Sequence, residues 1–110
     1  MIVKQYQIYT VNLDPTVGAE IKKTRPCVII TPDDMNNNLG TVMIVPITSI
    51  TRNQSTYPTR MYMKNSYCNG YLVVDQIRTI DKSRLHKNCG NLNENEIQKL
   101  KAILEEMLIL

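Results

Sequence analysis

Two runs constrain this chain more than any other feature. Pro26–Thr31 (PCVIIT) and Thr41–Ile47 (TVMIVPI) are continuous, apolar, short and rich in β-branched residues. Such side chains fit a pleated surface better than a helix, so both runs predict buried strands. Pro32 ends the first. Pro46 cannot donate to a ladder, so the second must bulge or reach an edge there. Before them, Tyr6–Leu13 places Tyr9, Val11 and Leu13 at period two, the mark of a half-buried strand. After them, Thr59–Met63 sets Met61 and Met63 on one face, and Tyr71–Asp75 (YLVVD) reads as a strand that Ile77–Ile80 continues or bends. Asp33–Gly40 (DDMNNNLG) reads as a loop, Asn65–Gly70 as a turn, and Asp81–Leu85 as one helical turn. Thr48–Tyr57 is polar enough to form a long, mobile flap.

The C-terminus follows another period. Asn93 can cap a helix, and Glu96 three residues on completes a capping box. Ile97, Leu100, Ile103, Leu104, Met107 and Leu108 then recur at helical spacing, a stripe suited to core packing. The chain has no tryptophan and no phenylalanine, so its core must be aliphatic, filled in by Met and Tyr. At 110 residues, the expectation is one domain over 1–110 that buries a core without staples. Five or six short antiparallel strands and one helix predict a mainly β fold, a small closed or half-closed barrel.

Composition narrows the function classes. Cys27, Cys68 and Cys89 make an odd count without a C-x-x-C pair, which argues against a disulfide framework and for a reducing cytoplasm. Cys27 then serves as a small core hydrophobe. His86 and Cys89, three apart, are two ligands short of a structural zinc site. No apolar run is long enough to span a membrane, and the N-terminus is too polar for a secretory signal. The net charge is +3, but residues 93–110 hold Glu94, Glu96, Glu105 and Glu106 against Lys99 and Lys101, or −2, so the preceding body carries +5. A basic body suits a polyanion.

The stretch NLDPTVGAEIKKTRP (Asn12–Pro26) gathers Glu20, Lys22, Lys23 and Arg25 between two rigid elements. Loops so placed carry binding and chemistry, yet a solvated hairpin with Glu20 paired to Lys23 or Arg25 gives the same spacing. Further polar residues fall at strand ends: Thr48 and Ser49, then Asp75, Gln76 and Arg78. An arginine fork matches phosphate oxygens, and a threonine hydroxyl can donate to one. Phosphate-loop, hydrolase and zincin motifs are absent from the sequence.

The segments VNLDPTVGAEIKKTRPCVIITPDDMN (Val11–Asn36), TVMIVPITS (Thr41–Ser49), YPTR (Tyr57–Arg60) and VVDQIRTIDKSRL (Val73–Leu85) occur in the order and spacing of one family. On them the chain resembles the MazF/PemK toxins, the endoribonuclease halves of bacterial toxin–antitoxin pairs. The resemblance implies an SH3-like barrel of five to seven antiparallel strands with a C-terminal α-helix. It implies a homodimer that cuts single-stranded RNA at short motifs, with no metal and no cofactor. It also implies an antitoxin partner whose acidic C-terminal segment blocks the RNA groove. By the same resemblance Arg25 and Thr48 fall on the catalytic positions, and Gly18, Glu20 and Gln76 on positions lining the groove. Lys22, Lys23, Ser49, Arg52, Asn53, Asp75 and Arg78 complete the expected RNA surface, with Arg52 and Asn53 on the flap. Some relatives carry a histidine where this chain has Ala19 and an arginine where it has Val73, and use them with the aspartate matching Asp75. Here Asp75 lacks both, and the expectation is an anchor near Arg78. Tyr57, Tyr62, Tyr67 and Tyr71 could stack on bases, although packing is the commoner role of strand tyrosines. The competing reading is a catalytically silent module on the same barrel, resembling the gyrase-poisoning CcdB toxins or a plain RNA binder.

Overall fold

The computed structural model describes residues 2–49, 57–64 and 68–109. The elements are β1 (Gln7–Asn12), β2 (Thr24–Ile29), α1 (Asp33–Asn38), β3 (Thr41–Thr48), β4 (Arg60–Lys64), β5 (Asn69–Val73), β6 (Arg78–Asp81), β7 (Leu85–Asn91) and α2 (Glu94–Leu108). The strands follow the order β4-β5-β3-β2-β1-β7, with β6 paired to β3 off this path. All pairings are antiparallel. Among the described residues the two ends of the path do not pair, so the barrel takes its open form.

β3 is the hub. It pairs with β2 on one side, and on the other with β6 along Thr41–Ile44 and then with β5 along Ile47–Thr48. The Met43 carbonyl accepts from the Ile30 N–H toward the β2 side (2.9 Å). Alternation then turns the Pro46 backbone the other way, into the gap where β6 leaves and β5 begins. Its missing donor thus costs no ladder bond.

Both faces of the sheet are buried here, which explains why Cys27–Ile30 and Val42–Ile47 are apolar throughout. Cys27, Ile29 and Ile44 join Tyr9, Val11 and Leu13 in one core cluster. Val28, Val45 and Ile47 point to the opposite face, where Met61, Met63, Leu72 and Leu100 complete a second cluster. α2 covers that second face. Its capping box is formed as the sequence implies, the Asn93 side chain accepting from the Glu96 N–H and the Glu96 carboxylate from the Asn93 N–H. Leu100 is fully buried, and Ile97, Ile103, Leu104 and Met107 pack against the same cluster. Leu108 is exposed, so the stripe ends one residue short of its full length.

Three elements differ from the sequence reading. Asp33–Asn38 is a one-and-a-half-turn helix rather than a loop: Asp33 and Asp34 suit the positive end of the helix dipole, and buried Asn36 bonds the Thr31 side chain and carbonyl. The strand expected over Tyr71–Asp75 begins at Asn69 and gives way to a 3₁₀ turn at Val74–Gln76, after which β6 leaves to pair with β3. β7, HKNCGN after Leu85, has almost no strand pattern; its backbone pairing with β1 creates it, and register shifts leave Cys89 between the pairs Ile8–Gly90 and Tyr9–Asn88. The turn at Lys82–Arg84 falls where one was expected. Among the described residues, no helix is long and apolar enough to cross a membrane.

Candidate functional site

The residues between β1 and β2 form a tied loop. The Leu13 N–H donates to the Lys23 carbonyl (3.0 Å) and closes its base. Lys23 (φ 70°) and Gly18 (φ 59°) both take left-handed backbone, and at Gly18 only glycine does so without strain. At the tip, the Glu20 carboxylate accepts from the Val17 N–H (2.5 Å). Glu20 thus closes its own loop rather than pairing with Lys23 or Arg25; among the described residues the ion pair is Arg60–Asp75.

The segment after β5 grips this loop. Gln76 accepts from the Ile21 N–H (2.7 Å) and donates to the Ala19 carbonyl (3.2 Å), acting as a short strand mimic. Arg78 Nη1 donates to the Leu13 carbonyl (3.1 Å). Between the two grips lies a crevice of about 440 Å³, walled by Leu13, Pro15, Glu20 and Ile21 on the loop side and by Pro46, Asp75, Gln76, Ile77 and Arg78 on the other. It opens where β3 changes partner, since Pro46 forms its floor.

The β2–β3 register carries the next step. Cys27 pairs with Pro46, Val28 with Val45 and Ile29 with Ile44. The pairing ends at Cys27–Pro46; Arg25 and Thr48 are each two residues further on, and period two puts both on the face of Cys27 and Pro46. Arg25 and Thr48 therefore share the crevice end of one sheet face. Both are half-buried. Arg25 Nε donates to the Lys22 carbonyl (3.3 Å), and Thr48 Oγ1 to the Ser49 carbonyl (3.2 Å). Gly70 on β5 makes room for this corner, because a Cβ there would lie 2.0 Å from the Thr48 carbonyl oxygen. Lys22, Lys23 and Ser49 are exposed beside it.

Asp75 departs from the expected anchor. Its carboxylate accepts from Thr59 Oγ1 (2.8 Å) and from Arg60 Nε and Nη2 (3.3 Å each), not from Arg78. Burial works against its charge, but the hydrogen bonds from Arg60 and Thr59 and the Arg60 charge outweigh it, holding the carboxyl below its ordinary value. In the sequence Arg60 stands out only within YPTR; its pairing across β4 and the 3₁₀ turn has no signal in spacing. Arg84 was also missed, and it bonds the loop carbonyls of Asn12 and Asp14.

Other expectations sort plainly. Arg52, Asn53 and Tyr67 lie outside the described residues. Tyr71 is buried and meets Tyr62 edge to face with centroids 5.5 Å apart, while Tyr57 is exposed. His86 is exposed, and no three His, Cys, Asp or Glu among the described residues are grouped to hold a metal.

Fold and site together define a small, open antiparallel barrel with a cationic loop and a polar crevice at one end of its β2–β3 ladder. The profile of the family described as PemK-like, MazF-like toxin of type II toxin-antitoxin system matches residues 4–108, and the chain belongs to that family. It is similar to endoribonuclease EndoA of Bacillus subtilis, 29% identical over 114 residues that cover 100% of this chain and 97% of that one. It is also similar to endoribonuclease toxin MazF of Escherichia coli K12, 28% identical over 99 residues, 89% of this chain and 86% of the relative. Among solved structures, MazF from Deinococcus radiodurans shares the fold at a TM-score of 0.86 and 20% identity, covering 100% of this chain and 99% of that one. An endoribonuclease from a mycobacterial species, solved in complex with its cognate antitoxin, gives a TM-score of 0.82 at 25% identity, with 98% and 96% covered.

Proposed function

We propose that this toxin-family chain is a metal-independent endoribonuclease that cuts single-stranded RNA at a short sequence motif. The observation that carries the reading is that Arg25 and Thr48 lie on one sheet face, each two residues beyond the Cys27–Pro46 pair, whose Pro46 lines the polar crevice. In this reaction the substrate supplies its own nucleophile: a ribose 2′-hydroxyl attacks the adjacent phosphorus, leaving a 2′,3′-cyclic phosphate and a 5′-hydroxyl. The protein must hold the backbone in line, stabilise the charge building on phosphorus and move protons. Arg25 meets that charge with a planar fork, and Thr48 donates to a non-bridging oxygen. Asp75 and Glu20 are the crevice-lining carboxylates, and Asp75 is engaged by Arg60 and Thr59. Glu20, whose Oε1 accepts from the Val17 N–H, is the candidate for the 2′-hydroxyl proton. Lys22, Lys23, Ser49, Arg52 and Asn53 follow the RNA backbone.

The chain acts as a homodimer in the cytoplasm, and a cognate antitoxin occupies the same cationic groove with an acidic segment. Relatives named as endoribonucleases support the cleavage reading, and a neighbour solved with its cognate antitoxin supports an antitoxin partner. The test is incubation with a long single-stranded RNA in EDTA, followed by mapping of the cut ends. Cleavage at one recurring motif with 5′-hydroxyl ends is expected, as is its loss when the nucleotide 5′ of the cut carries a 2′-deoxyribose. Binding without cleavage would favour the silent module instead.

A further inference from the structure

Arg84 lies in the one-turn 3₁₀ segment between β6 and β7, and that turn is shaped locally. Asp81 caps it by accepting from the Ser83 N–H (2.8 Å). Leu85 pairs with Val11 at the start of β7, so the residue before it stands opposite Asn12, where β1 ends. From there Arg84 Nη1 donates to two carbonyls at once, Asn12 (3.1 Å) and Asp14 (2.7 Å). Between them, the Leu13 carbonyl takes Arg78 and the Leu13 N–H takes the Lys23 carbonyl. Three consecutive residues are thus held by two guanidinium groups, and the last bond passes to Lys23, two residues before Arg25.

We propose that Arg84 is a positioning residue for RNA cleavage: it fixes the Asn12–Asp14 backbone, and through the Leu13–Lys23 bond it sets the height of Arg25 on the rim. The inference rests on the cleavage reading above. The two N–H groups of Nη1 bridge the two carbonyls and hold their separation; a lysine ammonium has three donors but sits on a shorter, flexible stem, so it replaces the bridge only in part. Arg84 serves the loop rather than the RNA, although its charge alone would suggest a phosphate contact.

The test uses the full chain as wild type, Arg84→Ala and Arg84→Lys. Cleavage of a short RNA gives kcat and KM, and binding of its 2′-O-methyl form is followed against salt. Misplacing Arg25 lowers kcat of Arg84→Ala about 10- to 100-fold, with KM within about threefold, and Arg84→Lys recovers part of the loss. The salt slope of binding stays at the wild-type value, whereas a lost phosphate contact makes it shallower by about 0.7. Amide exchange at Leu13 reads the clamp apart from activity and quickens in Arg84→Ala. Unchanged kcat, unchanged Leu13 exchange, or a raised KM with a shallower salt slope would each overturn the proposal. If exchange quickens but the wild type cuts no RNA, it is the cleavage reading that fails, and the positioning role with it.

Discussion

Arg25 on β2 and Thr48 on β3 each lie two residues beyond the Cys27–Pro46 pair, on the same face of the sheet. They are 23 positions apart in the chain, and only the antiparallel return of β3 brings them to one rim. Each reaches that rim through a neighbour's backbone, Arg25 through Lys22 and Thr48 through Ser49.

Arg25→Ala should cut RNA about 10²–10³-fold more slowly than wild type, the usual loss for one positioned charge donor. Thr48→Ala should lose a similar order. The double variant should fall well short of the product of the two, as expected of two groups that serve one phosphate. Rates from a fluorogenic RNA check this; wild-type cleavage by Arg25→Ala would remove the assignment.

Gly70→Ala should be strongly destabilising. The new Cβ falls 2.0 Å from the Thr48 carbonyl, and a backbone atom cannot swing aside as a side-chain tip can. A loss of about 1–3 kcal/mol is expected, with β3 and β5 forced apart. Denaturant unfolding measures it, and the surviving folded protein should cleave poorly because Thr48 has moved.

Asp75→Asn should lower stability in a pH-dependent way. The folded carboxyl titrates below its ordinary value, so its contribution is present above that value and fades as pH falls through the lower, folded one. The pair is partly exposed, so the loss near neutrality is at most about 1 kcal/mol. Thermal melts should separate the variant from wild type near neutrality and converge well below about pH 3.9. A gap that persists in acid would mean that Asn disrupts packing rather than the ion pair.

Cysteine labelling should divide the thiols. Cys27 is fully buried and its thiol is pushed up to about 12 by burial, with Arg78 acting in the opposite sense. Cys68 and Cys89 are only half-buried. A thiol reagent should therefore modify two groups in the native protein and all three after unfolding, as counted by mass spectrometry.

Asn93→Ala removes one half of the capping box and should cost about 1 kcal/mol. A lowered melting temperature checks it. Cleavage should be untouched at a temperature where the variant is folded, since α2 covers the sheet face opposite Arg25.

Much of this was legible in residue order. The Cys27–Ile30 and Val42–Ile47 runs are apolar at every position because both sheet faces are covered, and such runs can be read without a partner in view. α2 was equally readable, since Asn93, Glu96 and the stripe that follows act within a few residues of one another. Arg25 and Thr48 stood out through motif likeness, not spacing. What the chain order could not carry was pairing at a distance. β7 has a polar sequence and becomes a strand because β1 offers it an edge. Asp75 finds Arg60 rather than Arg78 because the 3₁₀ turn at Val74–Gln76 aims it toward β4. Gln76, Arg78 and Arg84 read as RNA-facing polar groups or as nothing in particular, yet all three bond the backbone of the Asn12–Ile21 loop. Local propensity and burial pattern act over a few residues and are written in order along the chain. Which carbonyl an arginine meets some 60 to 70 residues away is set by register and curvature, and those exist only once the sheet has formed.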